Sequence, residues 1–133
     1  MTSKVIYTGD LRTVSTHLAS GAEIISDAPV DNFGKGEAFS PTDLVANALA
    51  SCMLTVMGIK AQQMEVDMKG AAVEVTKIMG VEPRRIVEIQ LIVNMGIAVD
   101  EKTRVILENT GKTCPVLESL HPDLNKVITF NWL

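Results

Sequence analysis

The sequence predicts an α+β domain, and three observations carry that reading. Apolar runs separated by turn residues fall first as short strands, then as one long helix, then as two strands, two short helices and a last strand. Strands and helices grouped in this way give α+β packing rather than a doubly wound sheet. Arg85 to Met95 alternates, with Val87, Ile89, Leu91 and Val93 on one face, and period two is the strand signal. Finally, 133 residues of which 47% are hydrophobic suit one domain, 1–133, around a single core.

The elements follow in chain order. Val5 to Asp27 carries short apolar runs punctuated by Gly9-Asp10 and Ser20-Gly21, which mark turns. With Ala22 to Ser26 as a strand, the region reads as a meander. Ala28 to Phe39 holds Pro29, Asp31, Asn32, Gly34 and Gly36 and reads as a loop. Ser40-Pro41 then opens a helix, because serine is a favoured N-cap and proline in the first turn loses no hydrogen bond. Asp43 in that turn suits the positive end of the helix dipole. The helix is expected to run to about Met64. From Leu44 to Ile59 it is apolar nearly all round, apart from a stripe of Asn47, Ser51 and Thr55. Such a helix is expected to be buried on most sides. A chain this short can hardly do so alone, which predicts sheet on one side and a partner subunit on the other. Lys69 to Met79 and Arg85 to Met95 are expected strands around a Gly80 to Pro83 connection. Asp100 caps a second helix ending near Gly111, Cys114-Pro115 opens a short third one to about Leu120, and Lys126 to Trp132 is a strand.

Composition excludes several functions. The net charge of -4 is spread along the chain, and aromatics make up only 4%. Nucleic-acid binding lacks its basic footprint, and the acidic balance opposes anionic membrane surfaces. The N-terminus lacks the pattern of a secretory signal. The Leu44–Ile59 stretch is shorter than the roughly 20 residues of a membrane span. A cytoplasmic protein is therefore expected. Two cysteines there are not a structural staple, since that compartment keeps thiols reduced. His17 and His121 lie far apart in sequence, and neither stands at a metal-type spacing from a cysteine, so the four residues do not form a zinc pattern. Both histidines read as surface or turn residues, and no metal or other cofactor is expected.

Cys52 and Cys114 are the residues that can carry chemistry. Cys52 lies about three turns into the long helix, beyond the reach of its dipole. In an apolar setting its thiol stays protonated, so a reactive Cys52 needs a cation from elsewhere; otherwise it is a buried structural residue. Cys114 stands where a short helix begins, and thiols at helix N-termini acquire lowered pKa values. Local physics ranks it as the more acidic of the two, or else as a mere capping residue. Met53, Met57, Met64 and Met68 fall at helical spacing and just beyond, and read as core or dimer packing.

Ser40-Pro41-Thr42-Asp43-Leu44, an alanine-rich helix and Ser51-Cys52-Met53 together resemble the cysteine-bearing helix of the OsmC/Ohr family. Thr113-Cys114-Pro115-Val116-Leu117 resembles that family's second cysteine, also followed by proline. The likeness extends over nearly the whole chain. It implies an intertwined homodimer, with long central helices wrapped by mostly antiparallel sheets and active sites at the subunit interface. It implies a peroxidatic Cys52 that attacks a hydroperoxide and becomes a sulfenic acid, and a resolving Cys114 that closes a disulfide. A dithiol or lipoyl-type reductant would reopen it. The family also pairs its reactive cysteine with an arginine and a glutamate. Arg12 is the candidate arginine. The glutamate position, ten residues before the cysteine, is Thr42 here. Asp43 is the candidate acid one place later, about 100° further round the helix, and Glu37 is another. Three readings follow: a thiol peroxidase of oxidative-stress defence acting on organic hydroperoxides, a non-catalytic apolar-ligand or redox-sensing protein on the same dimer, and a structural dimer with inert thiols.

Overall fold

The computed structural model describes residues 1–133, and they form two compact units, Met1–Val45 and Ala46–Leu133. The first unit is a three-stranded antiparallel meander of β1 (Ser3–Gly9), β2 (Arg12–His17) and β3 (Glu23–Asp27). The β1–β2 turn sets both Asp10 (φ 54°) and Leu11 (φ 61°) in the left-handed region. A two-residue hairpin needs this to match the strand twist, although leucine is a strained occupant. Register then places Ile6, Val14 and Ile25 side by side across the sheet, and Arg12 directly opposite Asp27. Val5, Ile6, Tyr7, Ile24 and Ile25 all remain substantially exposed within the single chain.

After β3 the chain makes a loop with one 3-10 turn, Val30–Asn32. Gly34 comes so close to the Ala28 carbonyl that a Cβ could not be accommodated. The loop is tied back to the sheet by the Asp27 amide donating to the Phe39 carbonyl (3.1 Å) and the Ala28 amide donating to the Leu11 carbonyl (3.0 Å). The expected helix start is present as a reciprocal cap. The Asp43 amide donates to Ser40 Oγ (3.1 Å), and the Ser40 amide donates to the Asp43 carboxylate (3.0 Å). Two orphan groups are thereby satisfied at once, and α1 runs over Pro41–Gln63.

The second unit joins a sheet to the body of α1. Its strands are β4 (Ala72–Gly80), β5 (Arg85–Asn94) and β6 (Asn125–Asn131), in that order. β4 and β5 are antiparallel, whereas β5 and β6 are parallel. A parallel pair cannot be closed by a hairpin, and the crossover contains α2 (Glu101–Gly111) and α3 (Pro115–Ser119). Asp100 caps α2 by accepting from the Thr103 amide at 2.7 Å. The alternation of β5 holds from Ile89 onward: Ile89, Leu91 and Val93 are buried with Leu49, Met53 and Met57 of α1 and Leu107 of α2. Val87, expected on the same face, is not part of that core, because a register shift between Glu88 and Ile86 brings Ile86 against it instead. Trp132, just past β6, donates from Nε1 to Glu108 (2.8 Å) and packs under the Arg104 guanidinium, fixing the last strand to α2.

Within one chain α1 is buried along a single stripe, Ala46, Leu49, Ala50, Met53, Met57 and Ala61, at spacings of three and four; a chain this short is not expected to bury it further alone. One expectation about α1 needs correcting: the helix is not too short for a membrane. Its helical residues extend past the apolar stretch at both ends, giving 23 residues that satisfy length and composition for a span. The packing of the stripe against β5 is what a core helix makes of the same composition.

Candidate active site: a thiol pair and a clamped arginine

In the Ala46–Leu133 unit, the two cysteines that are far apart in sequence are brought together. α1 carries Cys52 on a partly exposed flank, and Cys114 stands fully buried as the N-cap residue of α3. They lie 3.9 Å apart, a thiol contact and not a disulfide. The placement follows from packing. Gly111, at the end of α2, approaches α1 so closely that a Cβ would lie 2.8 Å from Met57 Sδ and 3.0 Å from Met53 Cγ. That approach delivers the chain leaving α2 to the flank of α1 that bears Cys52.

The expected ranking of Cys114 as the more acidic thiol is not what its surroundings give. Burial pushes the Cys114 thiol up, and the neighbouring Cys52 raises it further, while the backbone amides of Leu117 and Val116 pull only partly in the other direction. A five-residue helix offers a short turn of amides. Losing water around a thiolate costs more than they return. Cys114 is a proton-bearing thiol in contact with one that solvent can reach.

In the Met1–Val45 unit, Arg12 is held side-on by Asp27. Its Nε donates to one carboxylate oxygen at 2.7 Å and its Nη2 to the other at 2.9 Å. Nη2 also donates to Glu37 at 3.2 Å. Asp27 is buried and accepts a third hydrogen bond from the Glu37 amide at 3.2 Å. Its carboxyl is held below the usual range, first by the Arg12 hydrogen bonds and charge, against the opposing effect of burial. The Arg12 guanidinium is stabilised in its charged form by the same pairing. Asp27 was not singled out from the sequence. The one signal that could have found it is register, since pairing β2 with β3 across the Ser20-Gly21 turn places it opposite Arg12.

The remaining candidates have definite places. Asp43 closes the helix cap and, with Gly36, Glu37, Ala38 and Phe39, lines an open hollow of about 480 Å³. Thr42 contacts the hydroxyl of Ser40. His17 and His121 are exposed and bonded locally, to Ser20 and to the Asp123 amide. Met53 and Met57 are fully buried, and Met64 and Met68 pack on the same core.

Residues 34–127 match the family model described as OsmC-like protein. Among solved structures, a candidate osmotic stress induced and detoxification response protein from Psychrobacter arcticus 273-4 is 55% identical, with a TM-score of 0.96 over 98% of this chain and 96% of that one. An organic hydroperoxide resistance protein OsmC from Legionella pneumophila shares the fold, with a TM-score of 0.73 at 14% identity over 98% of this chain and 97% of that one. A candidate organic hydroperoxide resistance protein from Vibrio cholerae, with captopril in one active site, does so with a TM-score of 0.75 at 18% identity, over 100% and 93%. No curated protein matches the chain in sequence. An α+β chain with two cysteines meeting between its long helix and a short proline-opened one, matched by family over most of its length, belongs to the OsmC-like proteins.

Proposed function

We propose that the protein is a thiol-dependent peroxidase that reduces organic hydroperoxides. The observation that carries this reading is the contact between a partly exposed Cys52 and a buried, proton-bearing Cys114. The Cys52 thiol gives up its proton, its thiolate attacks the outer peroxide oxygen, the O–O bond breaks, and the departing alkoxide takes up a proton in place of the one released and leaves as the alcohol, so that Cys52 becomes a sulfenic acid. The Cys114 sulfur then attacks the sulfenic sulfur, water departs, and a disulfide forms. From 3.9 Å the sulfurs need to close by about 2 Å to reach bonding distance. An external dithiol or lipoyl-type reductant supplies two electrons and two protons to restore both thiols. Arg12 is assigned the part of the family's arginine, favouring thiolate and the departing oxygen, and Asp43 the nearby acid. The protein acts as a homodimer in the cytoplasm. The unburied apolar residues of α1, among them Val45 and Ile59, support the partner surface.

One observation favours the non-catalytic alternative. Arg12 is paired with two carboxylates, and a neutralised guanidinium does less for a thiolate than a free one. Consumption of cumene hydroperoxide with excess dithiol separates the readings. Turnover is expected in the wild type, background consumption in Cys52→Ser, and a dimedone-labelled sulfenate accumulating in Cys114→Ser. Equal consumption by wild type and Cys52→Ser would end the peroxidase reading.

A further inference from the structure

Arg12 has two acidic partners, and the two are unlike. Asp27 is 2% exposed, binds the guanidinium through Nε and Nη2, and sits directly across the sheet from it. Glu37 has a side chain 65% exposed and makes one longer contact to the Nη2 that Asp27 already holds. Asp27 does a second thing: its carboxylate accepts the Glu37 amide, while its own amide binds the Phe39 carbonyl. One carboxylate therefore fixes both the guanidinium and the loop carrying Glu37 and Phe39. Upstream, the strained left-handed Leu11 offers its carbonyl to the Ala28 amide, which locks the backbone from which Arg12 projects. Backbone strain of this kind persists only where surrounding contacts over-determine it.

We propose that Asp27, held on β3 directly opposite Arg12, is the positioning residue for Arg12, with Glu37 as a detachable second partner. The inference rests on the peroxidase reading for its effect on turnover, and on Arg12 alone for its structural effect. The three hydrogen bonds of Arg12 use Nε and Nη2, so the grip on Asp27 does not spend the Nη1 donors. Without Asp27 the guanidinium regains its rotamer freedom, and misplacement by about 1 Å can cost on the order of 100-fold in rate.

The test pairs turnover with the ¹⁵N NMR signal of the Arg12 Nε–H group at neutral to mildly alkaline pH, where a free guanidinium exchanges quickly with water and one held by Asp27 exchanges slowly. Asp27→Asn is expected to lose that slow exchange and to cut turnover on the order of 100-fold. Glu37→Gln is expected to keep the signal, because Nε bonds Asp27 alone. The chemical shift of the wild-type Nε–H group is expected to hold its hydrogen-bonded position on acidification past the range where ordinary carboxylates protonate, since Arg12, the Glu37 amide and Lys35 all hold Asp27 ionised. That titration needs no variant, so it decides the matter even where Asp27→Asn does not fold. An unchanged signal in Asp27→Asn, its loss in Glu37→Gln, or a move of the wild-type chemical shift to the unbonded position at ordinary carboxylate pH would each overturn the assignment. A wild type that turns over no peroxide, with the NMR contrast intact, overturns the peroxidase reading and leaves Asp27 as the anchor of Arg12.

Discussion

Cys114 shows how one residue's chemistry is decided by packing rather than by its neighbours in sequence. Its position before Pro115 offers amides to a thiolate, and its full burial withdraws water from the same thiolate; burial is the larger effect. The consequence for stability has a definite sign. A thiol whose pKa is raised on folding binds its proton more tightly in the folded state. Its contribution is complete below the unfolded value of about 8.5 and is lost as pH rises through the higher folded value. Urea unfolding of wild type and Cys114→Ala is therefore expected to show a gap that narrows above about pH 8.5. A gap that widened there would mean that the amides of α3 prevail. Asp27 behaves in the opposite sense: its lowered pKa stabilises the fold above the ordinary carboxylate value, and that contribution fades as acid is added below it.

At the scale of elements, α1 and α2 meet at a glycine. The Met53 and Met57 side chains fill the space that a methyl group on Gly111 would need. Gly111→Ala is expected to destabilise by about 1 kcal/mol, the low end for overpacking, because methionine yields readily; urea titration at neutral pH measures it. A loss well above that would show that the thiol-bearing flank cannot shift. The elements themselves were legible in the sequence for local reasons. Ser40-Pro41 set the start of α1, Asp100 capped α2, and alternation exposed β5, with its buried Ile89, Leu91 and Val93. β4 begins at Ala72 rather than Lys69, because Gly70 lies in a left-handed turn. What was not legible depends on pairing between distant segments. The parallel partnership of β6 with β5 and the acid opposite Arg12 are of this kind, and the meeting of Cys52 with Cys114 is expected from the family resemblance and not from local pattern. Asp27 looked like the end of a strand because nothing near it in sequence marks a partner fifteen residues away.

For the whole molecule, the apolar surface left over is the principal fact. One stripe of α1 is buried, while Ile59 stays 55% exposed, as do apolar residues on both faces of the β1–β3 sheet. Exposed large apolar residues in such number on one small chain favour association. Light scattering is expected to give twice the chain mass of 14.4 kDa. Ile59→Asp is expected to weaken association at least about tenfold, since it removes buried apolar area and puts a charge in its place. A wild-type monomer at micromolar concentration would remove the dimer from the proposal. The sheet order has a bearing on how the chain is made. β5 is central, flanked by β4 and β6, yet β6 follows only after α2 and α3. During vectorial synthesis β5 can pair with β4 at once, and its other edge stays open while the crossover emerges. An open edge of alternating isoleucine, leucine and valine is a template for pairing with another chain, so the order of synthesis leaves that edge uncovered until β6 appears.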